Sequence, residues 1–236
     1  MTHKDDLYKS YVSSHVGNKI ADSRGKYRAW EKLYAAILSA PRDAAILDIG
    51  CGDGDFLSWL KSVGFTNLRG IDKSEEQVAR ASDVPVTCNS LEQYLQNEVE
   101  QFDIIIMRDV LEHMTKGDVL GGLKIIFQSL RVNGCVVIQT TNAESPLFGR
   151  IRYGDFTHET AFTARSLSQV LRHSGFENIQ LSPQRPHAHS IFSFVRSTLW
   201  LGIELLLKIY LLIETGSYRG VVTQNIIAIA YKKKLL

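Results

Sequence analysis

Leu47-Asp48-Ile49-Gly50-Cys51-Gly52-Asp53-Gly54 is the stretch of this 236-residue chain that decides its fold. An apolar run leads into it and residues with helical spacing follow it, so it joins a buried strand to a helix. Three glycines at alternate positions let the backbone pass close against a ligand. Enzymes that bind dinucleotides place the third glycine one residue later, because a pyrophosphate must sit on the helix N-terminus. The acids Asp48 and Asp53 would repel a pyrophosphate, and they suit a ligand that carries an ammonium and a sulfonium.

Asp72 supplies a further acid at the end of the next predicted strand, after Gly70-Ile71. It lies about twenty residues beyond the first glycine, a spacing at which a carboxylate can accept both hydroxyls of a ribose. A glycine triplet alone would be weak evidence, because many strand-to-helix turns contain glycine. The glycine loop, its strand context and Asp72 together make a specific signal for a ligand with a ribose and a positively charged end.

The rest of the chain alternates strand-like and helical runs from Ala44 onward, which predicts a mostly parallel sheet with helices on both faces. Residues 1–40 look polar and helical, so we expect an N-terminal helical cap followed by one domain over residues 41–236. Within that domain, residues 183–220 are an apolar helical insertion. The strand that follows the insertion is predicted over Val221–Tyr231.

The glycine loop and Asp72 resemble those of the class I S-adenosylmethionine-dependent methyltransferases, and the resemblance covers nearly the whole chain from Ala44. It implies a Rossmann-like sheet of seven strands, whose last strand is antiparallel. It also implies S-adenosylmethionine as the cofactor and S-adenosylhomocysteine as the product. The residues implied for cofactor binding are Asp48, Gly50, Cys51, Gly52, Asp72, Lys73, Asn89, Ser90, Leu91 and Arg108.

The string Asp109-Val110-Leu111-Glu112-His113 follows the fourth predicted strand, at the edge where α/β sheets bind ligands. It resembles the ExxEH string of ubiquinone-biosynthesis O-methyltransferases and small-RNA 2′-O-methyltransferases. That resemblance implies Mg²⁺ or Mn²⁺ bound by Asp109, Glu112 and His113. However, this chain has Asp109 where those families have the first glutamate, and the shorter side chain brings its carboxylate less far toward a metal. The alternative is that Glu112 and His113 only orient the loop.

A second polar cluster, Gly154–Thr163, contains Asp155, His158 and Glu159. Methyl transfer to a hydroxyl needs an aligned nucleophile and a group that accepts its proton. We expect His158 to be that base, because an unperturbed imidazole titrates at about 6.5. Asp155 or Glu159 would orient it, and His113 is the rival base.

Residues 142–175 resemble methyltransferases from bacterial capsule and O-antigen polysaccharide clusters, through N-x-x-S-P, R-Y-G-D-x-T-H-E and F-T-x-x-S-L. This resemblance implies O-methylation of a saccharide or saccharide-linked group. The acceptor residues that it implies are Tyr11, Asn142, Arg152 and Tyr153. The first alternative is a quinone-pathway or other small-molecule O-methyltransferase. An alternative of another class is a scaffold that binds the cofactor without catalysis.

The composition of the chain limits the classes of partner and the cellular compartment that we expect. The formal charge is +2 and no basic stripe with interleaved aromatics is present, so we do not expect nucleic acid as a partner. Three separated cysteines predict neither a zinc site nor a disulfide framework, and we expect a cytoplasmic protein.

The apolar insertion leaves three alternatives open for residues 191–213. This segment could be buried against its own domain, pair with another copy in a homodimer, or touch the inner face of a membrane peripherally. We expect burial or dimer contact ahead of membrane contact.

Overall fold

The computed structural model describes residues 23–188 and 190–233. Its centre is one seven-stranded sheet in the order β3-β2-β1-β4-β5-β7-β6. The strands are β1 Ile46–Ile49, β2 Leu68–Asp72, β3 Val86–Cys88, β4 Phe102–Arg108, β5 Leu130–Thr141, β6 Glu177–Pro183 and β7 Asn225–Tyr231. β1 to β5 pair in parallel and β7 is antiparallel to both of its neighbours. This is the predicted Rossmann-like methyltransferase fold.

Helices cover both faces of the sheet. They are α1 Ser23–Leu33, α2 Ala35–Leu38, α3 Asp55–Ser62, α4 Glu75–Val78, α5 Leu91–Leu95, α6 Lys116–Ser129, α7 Phe148–Arg152, α8 Ala164–His173 and α9 Ile191–Thr215, with a 3-10 turn at Leu111–His113. One core cluster joins α5, α6 and α8 to the sheet. The other joins α1, α2 and α3 to its opposite face.

The described part of the N-terminal cap packs as part of that second core. The Trp30 ring of α1 stands 4.9 Å from the ring of Phe56, edge to face, and 5.6 Å from the ring of Trp59. Tyr34 is 1% exposed and its ring lies 5.0 Å from that of Phe56. Residues 1–22, which include Tyr11, lie outside the described part of the chain.

Two strand boundaries differ from the sequence prediction. The turn expected at Asn133-Gly134 lies inside β5, where the pairing with β4 shifts register and Asn133 has a φ of 68°. The turn residues therefore form a bulge in a longer strand. The last strand begins at Asn225, because the carbonyls of Val221 and Thr223 accept hydrogen bonds from the Asn142 amide instead of pairing with a strand.

The apolar insertion forms the single long helix α9. Of the three alternatives for it, the structure contradicts burial against its own domain, which we expected together with dimer contact ahead of membrane contact. Ser193 and Glu204 are its buried residues. Arg185 holds Glu204 through two hydrogen bonds of 2.7 and 2.8 Å. The helix therefore turns its polar stripe toward the domain and leaves large apolar side chains exposed. No helix within residues 23–188 and 190–233 has both the length and the apolar character needed to cross a bilayer.

The carboxyl ends of β1, β2, β4 and β5 meet at one edge of the sheet, which we call the ligand edge. Gly50, Asp72, Asp109 and Asn142 follow these four strands or end them. Parallel α/β sheets bind ligands in the crevice at this edge. The topology alone thus brings together residues that lie almost a hundred positions apart in the chain.

The close packing of β2 against α3 predicts a stability effect at Gly70. A Cβ there would lie 2.6 Å from Leu57 Cδ1 and 2.7 Å from Cys51 Sγ. We expect Gly70→Ala to lower the free energy of unfolding by about 1–3 kcal/mol, the usual range for overpacking a core. Urea denaturation followed by circular dichroism measures it.

The matched control is Gly121→Ala in α6, where an added Cβ would meet no heavy atom within 4 Å. Alanine favours a helix interior, so this variant should keep or raise the free energy of unfolding, by up to about 1 kcal/mol. Equal losses in the two variants would contradict the packing argument.

Candidate active site

Two cavities open along the ligand edge and meet over the glycine loop. The first has a volume of about 730 Å³ and the second about 410 Å³. Gly50, Gly52, Gln77 and Asp109 line both, so the cavities form one groove. The groove passes over the backbone of the glycine loop, where a Cβ on Gly50 would lie 2.3 Å from Val110 Cγ2.

Asp72 holds the shape of this groove. Its Oδ2 accepts a hydrogen bond of 2.9 Å from the Gly52 amide, and its Oδ1 accepts one of 2.8 Å from the Ser74 amide. Burial raises the pKa of Asp72, and these two amides oppose the rise. A carboxylate oxygen has a second acceptor direction, so both oxygens can still receive ribose hydroxyls in the first cavity.

The side of the first cavity beyond Asp72 is formed by the residues after β3. The amide of Asn89 donates to the Asp72 carbonyl at 2.9 Å, and Asn89, Leu91 and Lys73 line the cavity. Ser90 lines neither cavity; its hydroxyl caps α5 by accepting from the Gln93 amide. The structure therefore brings three of these four predicted residues to the groove and gives Ser90 a local structural contact.

Arg108 and Cys51 line the second cavity, together with Lys26 and Trp30 from α1. The guanidinium carbon of Arg108 stands 4.1 Å from the centre of the Phe56 ring. Asp48 lines neither cavity and is 1% exposed, with no hydrogen-bond partner among the described residues. Burial raises the pKa of Asp48 to about 7, against the opposing charge of Arg108.

A chain of hydrogen bonds forms the floor between the cavities. The Tyr34 hydroxyl donates to Gln139 Oε1 at 2.7 Å, and Gln139 Nε2 lies 2.9 Å from both oxygens of Asp109. The Asp109 carboxylate faces the groove, and desolvation by burial raises its pKa against the opposing hydrogen bond from Gln139. A carboxylate held in this way is suited to receive the ammonium group of a methionine moiety.

Two histidines stand side by side at the other end of the first cavity. The ring centres of His113 and His158 are 4.7 Å apart and the rings cross at 61°. His113 lines the cavity, as does Glu159. The Nδ1 of His158 lies 3.1 Å from the carbonyl oxygen of Ile151. A carbonyl only accepts, so this Nδ1 carries a proton and the lone pair of the neutral ring is on Nε2.

Thr157 fixes the ring of His113 in the same sense. Its hydroxyl lies 2.6 Å from Asp155 Oδ1 and 2.8 Å from His113 Nδ1. A hydroxyl has one proton, and Thr157 donates it in the hydrogen bond to the Asp155 carboxylate. The Thr157 oxygen can therefore only accept from His113, so His113 Nδ1 carries a proton and donates it. The lone pair of His113 is therefore also on Nε2. Asp155, expected to orient His158, is tied through Thr157 to His113.

Glu112 lies buried next to the histidines and accepts a 2.8 Å hydrogen bond from the Thr140 hydroxyl. Burial, and then the charge of Asp109, raises the pKa of Glu112 to about 8. One donor atom each from Glu112, His113 and His158 lies within 4.8 Å of the other two. The three-residue cluster thus contains His158 where the sequence analysis expected Asp109.

Two of the expected acceptor residues have structural contacts instead. Asn142 is 0% exposed, and its amide group donates to the carbonyls of Val221 and Thr223. Arg152 donates to the backbone carbonyls of His158 and Glu159, so it shapes the loop that carries the histidine. These contacts give both residues a structural role, and their assignment to the acceptor stays a prediction. Tyr153, in contrast, is exposed and available to a ligand.

Sequence reasoning missed several members of the site. Gln139, Thr140 and Thr157 complete the contacts of Asp109, Glu112 and His113. A signal was present for the first two, because they are polar residues at the end of an otherwise apolar buried strand. Nothing in the local pattern marks Tyr34, whose contact with Gln139 joins residues 105 positions apart.

A family model described as a methyltransferase domain matches residues 22–181. The chain belongs to this family. Solved structures give the same class I fold. A SAM-dependent methyltransferase from Archaeoglobus fulgidus superposes with a TM-score of 0.69 at 17% identity, over 96% of this chain and 99% of that chain. A possible histamine N-methyltransferase from Thermotoga maritima superposes with a TM-score of 0.64, also at 17% identity, over 98% and 100%.

Curated relatives of this methyltransferase domain match shorter segments. A ubiquinone biosynthesis O-methyltransferase of Rickettsia akari is 31% identical over 103 residues, which is 41% of this chain and 40% of that protein. A small RNA 2′-O-methyltransferase of Schizosaccharomyces pombe is 30% identical over 135 residues, 48% of this chain and 35% of that protein. The matched segments therefore span well under half the length of these relatives.

The contacts of Asp72 predict a loss of cofactor binding when its carboxylate is removed. Asp72→Ala should weaken S-adenosylmethionine binding at least tenfold, because each charge-assisted hydrogen bond contributes roughly 1.5–3 kcal/mol. Isothermal titration calorimetry measures it. Asp43→Ala, at the opposite edge before β1, is the control and should bind normally. Unchanged affinity in Asp72→Ala would remove Asp72 from the cofactor site.

Proposed function

We propose that this protein is an S-adenosylmethionine-dependent O-methyltransferase that acts on a hydroxyl of a saccharide or saccharide-linked acceptor. The observation that carries the proposal is the pair of imidazoles at the end of the active-site groove. His113 lines the groove and His158 packs against it, and the Nδ1 of each ring is engaged so that Nε2 carries the lone pair. The curated relatives support transfer to oxygen, because both are named as O-methyltransferases.

The reaction requires little from the protein beyond position and proton transfer. The acceptor oxygen attacks the methyl carbon bound to the sulfonium, the carbon–sulfur bond breaks, and the hydroxyl proton leaves to a base. We assign the base to His113 in preference to His158, because His113 lines the cavity and Asp155 holds it through Thr157. His158 packs against it edge to face and restricts its position.

The loop of residues 153–163, which we call the acceptor loop, has side chains that favour a sugar as the acceptor. Tyr153 is 82% exposed and Phe156 is 90% exposed, on the same loop as His158. A flat aromatic ring can cover the apolar face of a sugar ring while polar groups bind its hydroxyls. Exposed aromatics at an active site are unfavourable in water, which supports a ligand that covers them.

A quinone-pathway phenol is the second candidate acceptor, favoured by the ubiquinone biosynthesis relatives. Labelled S-adenosylmethionine separates the two candidates when it is offered with a panel of nucleotide sugars and oligosaccharides on one side and dihydroxyphenols on the other. Methylation confined to the phenols would replace the saccharide proposal.

A divalent cation would use the cluster of Glu112, His113 and His158. Two imidazoles and a carboxylate are a donor set that divalent metals use, and both Nδ1 positions have the kind of partner that orients a metal-binding histidine. The 4.8 Å spread of the donor atoms exceeds the roughly 3 Å between adjacent ligands of Mg²⁺, so the side chains would have to close in. A bound cation would polarise the acceptor oxygen, with His113 as ligand rather than base.

The base assignment predicts a graded series of variants. His113→Ala should lower turnover about a hundredfold or more, the scale of acid–base catalysis. Thr157→Val should lower it about tenfold, because the ring loses the acceptor that fixes its lone pair. Thr157→Ser keeps the hydroxyl and should restore turnover. Cofactor affinity should stay constant throughout, and the ascending limb of the pH–rate profile should disappear in His113→Ala.

His158→Ala is the comparison variant and should lose less turnover than His113→Ala. The opposite order, with His158→Ala inactive and His113→Ala active, would show that His158 is the base. Full activity in both would mean that the acceptor ionises without help and that positioning alone accounts for catalysis.

Removing divalent cations and adding them back tests whether the reaction requires one. Full activity in excess EDTA is the expected result if His113 is the base. Loss of activity in EDTA, with recovery on adding Mn²⁺ or Mg²⁺, would assign Glu112, His113 and His158 to a metal. Glu112→Gln distinguishes the two further, because it removes a metal ligand and keeps the volume of the side chain.

A further inference from the structure

Helix α9 presents an apolar surface that no described residue of the chain covers. Its exposed side chains include Phe192 at 89%, Leu206 at 68% and Ile213 at 80%. The side toward the domain carries polar groups, since Ser193 and Glu204 are buried and the Ser197 hydroxyl donates to the Pro186 carbonyl. The half-buried Trp200, Leu207 and Leu211 lie on this side as well. The apolar surface is therefore the outer face of the helix.

The width of this surface limits what can cover it. At 100° per residue, the exposed apolar side chains extend from Leu201 through Val195 to Ile203, an arc of about 200°. A single helix from a partner packs over a stripe on the order of 100° wide. One helix of a second copy would therefore leave about half of the arc in water. A lipid phase would cover all of it.

The charges around the surface fit an anionic layer. Residues 183–220 contain four basic residues and two acidic ones: Arg185, Arg196, Lys208 and Arg219 against Glu204 and Glu214. Arg185 and Lys208 neutralise Glu204 by direct ion pairs. Arg196 and Lys208 lie at the two borders of the apolar arc, where Lys208 pairs with Glu204 and Glu214 shares the border of Arg196. Four basic and two acidic residues leave the segment with a net charge of +2. Basic side chains at the border of an apolar helix face are the arrangement that binds anionic lipid.

The position of α9 connects the surface to the active site. The helix follows β6, which runs parallel to β5, so it leaves the sheet at the ligand edge. Gln184, between β6 and α9, lines the second cavity. The loop that carries His158 also exposes Tyr153 and Phe156, and Leu147 is exposed just before α7.

We propose that the outer face of α9 docks this protein on an anionic membrane surface, with the helix lying in the interface. In an ordinary interfacial helix the polar side faces water. In α9 the polar side faces the protein's own domain instead. Docking at this edge holds the groove next to the bilayer, where an acceptor linked to lipid would meet it. The docking itself does not depend on the identity of the acceptor.

Vesicle sedimentation of the full chain tests the proposal without cofactor or acceptor, so its outcome is independent of the proposed catalytic function. Vesicles of phosphatidylcholine with phosphatidylglycerol should bind the protein more tightly than phosphatidylcholine alone, and salt should weaken the binding. The double variant Leu206→Gln with Ile213→Gln should bind at least tenfold more weakly. Val99→Gln is the control, because Val99 is 62% exposed but precedes β4 at the opposite edge.

Both variants change exposed side chains, so their unfolding midpoints should match that of the natural chain; this is checked before binding is compared. Wild-type protein that stays in the supernatant with both vesicle types would overturn the proposal. Light scattering identifies the rival occupant. A dimer that the double variant converts to monomer, without vesicle binding, would show that a second copy covers α9.

Discussion

The carboxylate of Asp72 is the contact on which the rest of the groove depends. It sits at the end of β2 and accepts the amide of Gly52, from the loop after the neighbouring strand β1, and the amide of Ser74 in its own turn. A glycine loop has little conformational preference of its own, because glycine populates left-handed and right-handed backbone alike. The bond from Gly52 to Asp72, together with those from the Gly50 and Cys51 amides to the Ile71 carbonyl, selects one shape. That shape leaves room for the cofactor over Gly50 and Gly52.

Much of this arrangement could be predicted from the sequence. Local sequence pattern was enough to identify the glycine loop, Asp72 and the alternation of strands and helices. From these features the sheet and the cofactor side of the groove could be predicted. The acceptor side was harder, because its contacts join distant segments. Thr157 links Asp155 to His113 across 44 positions, a pairing that neither string contains by itself.

Two residues show why a motif does not fix a role. Asn142 and Arg152 occur in strings typical of an acceptor loop, but the structure uses their polar atoms to hold backbone carbonyls. An amide or guanidinium meets a carbonyl and a ligand with the same donors, so only the fold decides which one is in reach. Sequence alone was also insufficient to orient α9. Its composition marked an apolar helix, while the direction of its polar stripe depended on Arg185 and Glu204 meeting in space.

The hydrogen bond from Tyr34 to Gln139 gives the N-terminal helices a part in the active site itself. Tyr34 supports Gln139, which supports Asp109, while Trp30 and Lys26 wall the second cavity. Residues 23–38 are therefore not an appendage that could be exchanged between relatives as a separate module. Any evolutionary replacement of this segment has to restore a hydroxyl at one buried point, so substrate range can change through the loops after β5 and β6 more freely than through the N-terminus.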